Sequence, residues 1–411
     1  MKKLAINGGE PIRTSSYYNW PDVNMTKMEE ALKRVLYSKK WGSLHGQETS
    51  QFEHEFANYQ DAKFGIACNS GTTALEIALE SVGIGRGDEV IVPAYTFIAS
   101  ASAILAVRAI PVFVDISLES YTIDINDLKN KLTENTKAIL PVHIGGRPAD
   151  MDEILNIATK YNLYVIEDAA QAWGSSYKNR KVGAIGDMGT FSFQSSKNIT
   201  SAEGGIILTN NEDYAKMAKS LVNCGRKEDG IWYAHYFSAG NYRITEFQTA
   251  LLREQLKEYE KSLEIRRKNA MVLNKFFMDI EGFTPIPIDD DYRSSVHLYI
   301  LRYDKTKFEN LDKLKFIEAL KSEGIPVSPG YSLPLYKQPI FTEGMFYKDG
   351  CPFYCVESKI DYKNVYLPNT ERACNEEAIW IPQWVMLTDD KGINDIKNAF
   401  LKVVENYKEL L

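Results

Sequence analysis

Between about residue 60 and residue 210 the sequence alternates short β-branched or apolar runs with stretches whose apolar residues recur at helical spacing. That alternation limits the fold more than any other feature. Buried strands separated by helices assemble into parallel sheets, because a parallel neighbour needs a crossover long enough to hold a helix. The predicted strands are Phe64–Cys68, Glu89–Tyr95, Ile110–Ile116, Ala138–His143, Leu163–Glu167, Gly189–Phe193 and Gly205–Leu208. Leu75, Ala78, Leu79 and Val82 mark the apolar face of one intervening helix, and Asp150 with Glu153 forms a capping pattern ahead of Ile154, Ile157 and Ala158. The expected class is α/β, with a mostly parallel seven-stranded sheet between helices. From Ile244 to about Asn274 the chain lacks Pro and Gly and reads as one long helix leading away from this sheet. A smaller α+β domain is expected beyond it, with strands at Leu298–Tyr303 and Ile325–Ser328 and helices at Leu311–Ser322 and Asp389–Tyr407. Pro329–Pro368 reads as irregular structure of the length that covers sites. The expected division is an N-terminal arm over 1–20, a large domain over 21–260 and a small domain over 261–411.

Composition excludes several classes of function. The 411 residues are 44% hydrophobic and 25% charged, ordinary for a soluble globular protein. The net charge of −7 is scattered, without a basic block or an aromatic-interleaved Lys/Arg stripe, which argues against nucleic acid as a partner. No run approaches the length of a membrane span. Met1-Lys2-Lys3 and Leu4-Ala5-Ile6 imitate a signal peptide, but Asn7-Gly8-Gly9-Glu10-Pro11 ends the apolar stretch too early. Five widely spread cysteines read as reduced thiols in the cytoplasm. Cys351, Cys355 and Cys374 lack a nearby His and the spacing of a zinc site, so no metal is expected.

Two residues carry the first chemical signal. Asp168 ends the apolar run from Tyr164, and Lys197 closes the stretch Phe191-Ser192-Phe193-Gln194-Ser195-Ser196-Lys197. Pyridoxal 5'-phosphate needs a lysine amine for its aldehyde and a carboxylate that keeps its ring nitrogen protonated, so that the ring works as an electron sink. It also needs a phosphate cradle. Asn69-Ser70-Gly71-Thr72-Thr73 opens a helical pattern, and free N–H groups at a helix start bind phosphate. Each of these pieces follows a predicted strand, where ligands gather in open α/β sheets.

With those residues in place, nearly the whole chain resembles the sugar aminotransferases of the DegT/StrS type, members of the fold-type I pyridoxal phosphate enzymes. The resemblance rests on Ser70-Gly71-Thr72-Thr73-Ala74-Leu75, Val92-Pro93-Ala94-Tyr95-Thr96-Phe97, Pro141-Val142-His143-Ile144-Gly145-Gly146, Glu167-Asp168-Ala169-Ala170-Gln171, Ser192 to Lys197, Glu203-Gly204-Gly205 and Gly240-Asn241-Tyr242-Arg243. It implies that Lys197 anchors the cofactor and then moves protons as a base, and that Asp168 pairs with the ring nitrogen. Phe97 takes the place of the aromatic that stacks on the ring, and Gln171 that of a polar group near the ring hydroxyl. Ser70, Gly71, Thr72 and Ser192 match the phosphate site. Asn241 matches an asparagine that reaches the phosphate from the neighbouring subunit, which implies a homodimer with shared sites. His143, Glu203 and Arg243 are candidates for substrate contact; for each a structural role is an equal or stronger reading.

Dehydratases of this family carry His where the aminotransferases carry the lysine, so Lys197 favours amino transfer. The branch it most resembles holds glutamine:scyllo-inosose aminotransferases and 3-amino-5-hydroxybenzoate synthases, on Trp41-Gly42, Gln51-Phe52-Glu53, Asn223-Cys224-Gly225-Arg226 and Asn369-Thr370-Glu371. The expected reaction moves an amino group from glutamate or glutamine to a ketone on a sugar or cyclitol. The alternatives are a nucleotide-linked ketosugar as acceptor, an aromatising synthase of the aminohydroxybenzoate kind, and a non-catalytic regulator, which would lack Lys197 or Asp168.

Overall fold

The computed structural model describes residues 3–17, 20–344 and 360–411. Its centre is a seven-stranded sheet of β1 (Phe64–Cys68), β2 (Glu89–Pro93), β3 (Ile110–Val114), β4 (Thr136–Ile139), β5 (Tyr164–Asp168), β6 (Met188–Ser192) and β7 (Gly205–Thr209). The spatial order is β1-β7-β6-β5-β4-β2-β3. All neighbours pair in parallel except β7, which runs antiparallel to both β1 and β6. Successive strand residues serve opposite faces, as the pleat requires. Ile66, Cys68, Val90, Val92 and Ile166 enter one core with Leu75, Ala78 and Ile104, whereas Ala67, Ile91, Val112 and Val165 enter the other with Phe52, Ile154 and Trp173. Helix α1 (Gly71–Ser81) covers the first face. Three strands end two or more residues earlier than expected; β3 stops at Val114, and a proline stands at or just after the end of the other two. Pro93 closes β2, and Pro141 interrupts the ladder after β4, although Leu140 N still donates to Ile91 O at 2.8 Å.

The long helix α2 (Glu246–Met278) starts at Thr245, which forms a capping box with Gln248. It joins two cores. Tyr259 and Leu263 pack into the sheet's second core, whereas Ala270, Leu273 and Phe277 belong to the core of the C-terminal part. There a three-stranded antiparallel sheet, β8 (Phe283–Pro285), β9 (Leu298–Tyr303) and β10 (Ala378–Pro382), lies against α3 (Lys313–Ser322) and α4 (Asp390–Glu405). The expected strand at Ile325–Ser328 is absent as a strand: only Ser328 pairs, in a single antiparallel bridge to Trp380 on the outer edge of β10. In the stretch read as irregular, the described residues form short helical turns at Leu335–Lys337, Pro339–Thr342 and Tyr362–Asn364. Cys351 and Cys355 lie outside the described residues. Among the described residues, no group of His, Cys, Asp and Glu could hold a metal ion, and no helix is long and apolar enough to cross a membrane.

The N-terminal residues belong to the C-terminal core, where Leu4 is fully buried. The fixed point is Glu323, also fully buried, which accepts hydrogen bonds from Ala5 N at 2.9 Å, Ile12 N at 3.1 Å and Lys402 Nζ at 2.8 Å. Replacing one member of such a pair strands the other charge away from water. Glu323→Ala is expected to lose about 3 kcal/mol of stability, read by denaturant unfolding; a loss within experimental error would show that the carboxylate does not hold the arm.

Candidate functional site

Six parallel strands bring their C-terminal ends to one edge of the sheet, and the functional side chains sit there. β1 turns through Asn69 and Ser70 into α1. Ser70 is extended and caps the helix, its Oγ accepting from Thr73 N at 3.1 Å and donating to Thr73 Oγ1 at 2.9 Å. The first N–H groups of α1 have no partner within the helix and suit an anion. Gly71 leaves room for one. A Cβ at Gly71 would stand 2.6 Å from the Ser192 Cβ, and one at Gly205 would stand 2.3 Å from the Ser70 carbonyl oxygen. Ser70, Gly71 and Ser192 therefore converge from different segments. Ser192 Oγ accepts from Gln194 N at 3.3 Å, which leaves its own proton for a ligand.

Asp168 closes β5 and is buried. Its Oδ2 accepts from Ser100 Oγ at 2.7 Å and its Oδ1 from Ala170 N at 3.1 Å. Ser100 Oγ lies 3.1 Å from Thr96 Oγ1; because the Ser100 proton points to the carboxylate, Thr96 donates. These donors fix the orientation of the carboxylate at the strand end. Phe97 follows Thr96 in this turn and is 58% exposed, so its ring is free to cover a ligand. Gln171 is buried and accepts from Gly145 N at 2.7 Å, with the Tyr331 hydroxyl near its side chain. Tyr331 stands edge-on to Tyr95 and Trp380, at 5.3 and 4.8 Å between ring centroids.

Lys197 lies in the turn after β6, its N–H bonded to Gln194 O at 2.9 Å. Burial lowers its amine to about 8, against the opposing pull of the Asp168 charge. The lysine and the carboxylate thus share one electrostatic environment. Asn198, the next residue, donates to Ser295 O at 3.1 Å, and its Oδ1 lies 2.9 Å from His297 Nδ1. An amide oxygen can only accept, so Nδ1 carries the proton. Burial first, then the charges of Lys197 and Arg266, push the His297 imidazole well below its usual range, and the ring is neutral. Ser100, Tyr331, Asn198 and His297 carry no motif of their own, and sequence reasoning missed them; His297 and Tyr331 reach the site through the packing of the C-terminal part.

Four candidates form no hydrogen bond with Lys197. His143 is fully buried, its Nδ1 accepting from Ala149 N at 3.0 Å and its Nε2–H donating to Glu167 at 3.0 Å, so no ring nitrogen is left for a substrate. That corrects its reading as a substrate contact. Glu203 is exposed, and its main-chain carbonyl accepts from Gln248 Nε2 at 2.7 Å. Arg243 donates to Asn223 Oδ1 at 2.7 Å and lines a cavity of about 680 Å³ to which Lys197 does not contribute. Asn241 is exposed, with its Oδ1 accepting from Arg243 N at 3.4 Å.

With this geometry in view, comparison with known proteins is direct. The DegT/DnrJ/EryC1/StrS aminotransferase family matches residues 24–399. The chain belongs to that family. It is 38% identical over 389 residues to an uncharacterised protein of Methanocaldococcus jannaschii, covering 92% of this chain and 95% of that one. It is 34% identical over 432 residues to the L-glutamine:2-deoxy-scyllo-inosose aminotransferase of Streptoalloteichus tenebrarius, covering 99% of each. Among solved structures, 3-amino-5-hydroxybenzoic acid synthase superposes with a TM-score of 0.86 at 28% identity, over 96% of this chain and 100% of that one. The fold is that of the fold-type I enzymes, and the protein is a pyridoxal phosphate-dependent aminotransferase. Its residues fit the cofactor: a helix start with no room for a side chain, a hydroxyl with an unused proton, a buried carboxylate held by two donors and a desolvated amine.

The amine gives a direct test on the cofactor-free protein. A lysine whose pKa is about 8 is largely uncharged at pH 9, where one at the ordinary 10.5 is still almost wholly an ammonium. Acylation followed by peptide mapping is expected to modify Lys197 with a midpoint near pH 8. A midpoint at the ordinary lysine value would refute the desolvation argument.

Proposed function

We propose that this aminotransferase moves an amino group from glutamine or glutamate to a ketone on a free cyclitol or unactivated sugar, as a cytoplasmic homodimer. The observation that carries the reading is Lys197, desolvated and within the field of Asp168, at a sheet edge whose glycine-lined helix start can hold a phosphate. Pyridoxal phosphate, when bound, supplies the electron sink that makes the donor's α-carbon proton labile. Asp168, oriented by Ser100 Oγ and Ala170 N, would pair with the protonated ring nitrogen. The neutral fraction of Lys197 near pH 8 accepts the α-carbon proton and returns a proton to the acceptor carbon in the second half-reaction. Phe97 covers one face of the ring, and Ser70, Gly71, Thr72 and Ser192 hold the phosphate. The choice of glutamine and of a cyclitol ketone is supported by the activity for which the 34%-identical relative of Streptoalloteichus tenebrarius is named.

The assay is a panel of ketones offered with glutamine or glutamate, followed as donor-dependent amination. Free cyclitol or sugar ketones are expected to turn over, and Asp168→Asn is expected to bind cofactor yet slow the reaction by about 100-fold, in line with loss of one preorganised electrostatic group. Turnover restricted to nucleotide-linked ketosugars, or an aromatic product, would replace this reading.

Support for the homodimer comes from exposed apolar side chains ahead of Asn241. Ile231, Trp232 and Tyr233 are exposed together, Trp232 at 82%, and contiguous apolar surface of this kind marks an interaction face. Asn241 serves the partner's phosphate site in this reading. Lys197→Ala and Asn241→Asp chains, each defective, are expected to regain activity when refolded together, because one site of the hybrid dimer receives both intact groups. An aspartate beside the phosphate is repelled by roughly 4 kcal/mol per unit charge before screening, at ~4 Å and an effective dielectric of ~20. Activity equal to the sum of the parents, with hybrids demonstrably present, would rule out the shared site.

A further inference from the structure

A second cavity, of about 320 Å³, lies on the other side of the lysine loop, between the N-terminal segment and α2. Trp20, Asp22, Asn198 and Arg266 line it, and Lys197 does not. Arg266 is 1% exposed, yet its acceptors are neutral. Its Nε contacts Gln383 O at 3.3 Å and Gln383 Oε1 at 3.1 Å, its Nη2 the same Oε1 at 2.6 Å, and its Nη1 Ser262 Oγ at 2.9 Å. A guanidinium has five N–H groups. These contacts leave one on each terminal nitrogen, and among the described residues no carboxylate comes within ion-pair distance. A buried cation without a counter-ion is costly, and burial lowers this guanidinium to about 10. Only Asp22 and the Tyr259 hydroxyl pull the other way.

Asp22 is the complementary observation. It is exposed on the rim and forms no ion pair with any described residue, whereas the other rim acids are engaged. Glu258 pairs with Lys27 at 2.7 Å and faces Lys261, and Glu254 pairs with Lys257 at 2.9 Å and Arg34 at 3.4 Å. Trp20 spans the mouth, its ring 5.8 Å from the Arg266 guanidinium and its indole N–H donating to Ser195 O at 2.8 Å. The cavity therefore offers an unneutralised cation at its floor, an unneutralised anion at its rim and an aromatic roof.

We propose that this cavity binds a free zwitterionic α-amino acid, its carboxylate on Arg266, its ammonium at Asp22 and its side chain under Trp20. The volume suits a ligand of about ten non-hydrogen atoms, at the small end of ligand pockets. Asn198 lines the cavity and Trp20 donates to Ser195 O, so an occupant contacts the lysine loop directly at Asn198 and through Trp20 at Ser195. The site thus lets amino-acid concentration act on the turn that carries the reactive amine without entering the reaction.

The inference rests on the proposed function only in taking glutamine as the first probe. Holoenzyme reduced with borohydride, its cofactor fixed and unable to accept a donor, is titrated calorimetrically with L-glutamine. One binding event per chain is expected. Arg266→Gln is expected to abolish it. Asp22→Asn is expected to weaken glutamine roughly tenfold or more, the loss of a charge-assisted hydrogen bond, while leaving 4-carbamoylbutanoate, the same molecule without its amino group, unchanged. Trp20→Phe is expected to remove the accompanying change in tryptophan fluorescence. Should Arg266→Gln fail to fold, the exposed Asp22 carries the test alone. Absence of heat with glutamine, glutamate and alanine, or equal glutamine binding by Asp22→Asn, would overturn the site. If borohydride fixes no cofactor on Lys197, the proposed function fails instead, and the same titration of untreated protein still decides the cavity.

Discussion

The close approach of three chain segments at Ser70–Gly71, Ser192 and Gly205 is the constraint on which the rest of the site depends. It exists because β7 runs backwards between β1 and β6, pairing Gly205 with Cys68 on one side and with Ser192 on the other. Strands lie about 4.8 Å apart, so a side chain anywhere in this contact would force the helix start away from the serine. A Cβ on Gly205 would press on the Ser70 carbonyl, and one on Gly71 would press on Ser192. The phosphate cradle is thus a packing consequence of one reversed strand with glycine at its first position.

Two adjacent carboxylates at the end of β5 show how the pleat divides labour. Glu167 and Asp168 point to opposite faces, as neighbours in a strand must. Glu167 is consumed by structure, accepting from Gly183, Ile185 and Gly186 N at 2.7, 2.8 and 2.7 Å and from the His143 ring. Asp168 receives a hydroxyl and one backbone donor and faces Lys197. The same burial that fixes Glu167 within a polar network lowers the lysine amine, which has only a carboxylate's field to offset its lost hydration.

How much of this was legible in the sequence follows from where each piece sits. The seven strands of the main sheet, Lys197, Asp168 and the Ser70–Gly71 turn lie in local patterns: an apolar run, then a turn, then a polar residue at the strand's end. Two of the early strand ends are also local in cause, since Pro93 and Pro141 stand at them. In the C-terminal part the pattern misled, because Ile325–Ser328 has strand composition yet meets β10 through Ser328 in a single bridge. His143 misled for a different reason. Its position near a strand end resembles that of a ligand-facing residue, and only the three-dimensional path of the chain back to Ala149 shows both nitrogens occupied.

The residues that remained hidden share a dependence on contacts distant in sequence. Tyr331 is brought to Gln171 by a loop whose Gly330 has φ of +75°, and a Cβ there would stand 2.6 Å from the Tyr95 hydroxyl. His297 reaches Asn198 from a segment 99 residues further along, and Trp20 reaches Ser195 from 175 residues before it. None of these alters a local propensity, so none leaves a periodic trace. Strand-end chemistry is therefore readable along the chain. The wall that surrounds Lys197 belongs instead to the packing of the C-terminal part and the N-terminal segment against it, and a substitution in either would reach the reactive amine through Asn198 or Ser195 without touching any residue of the sheet.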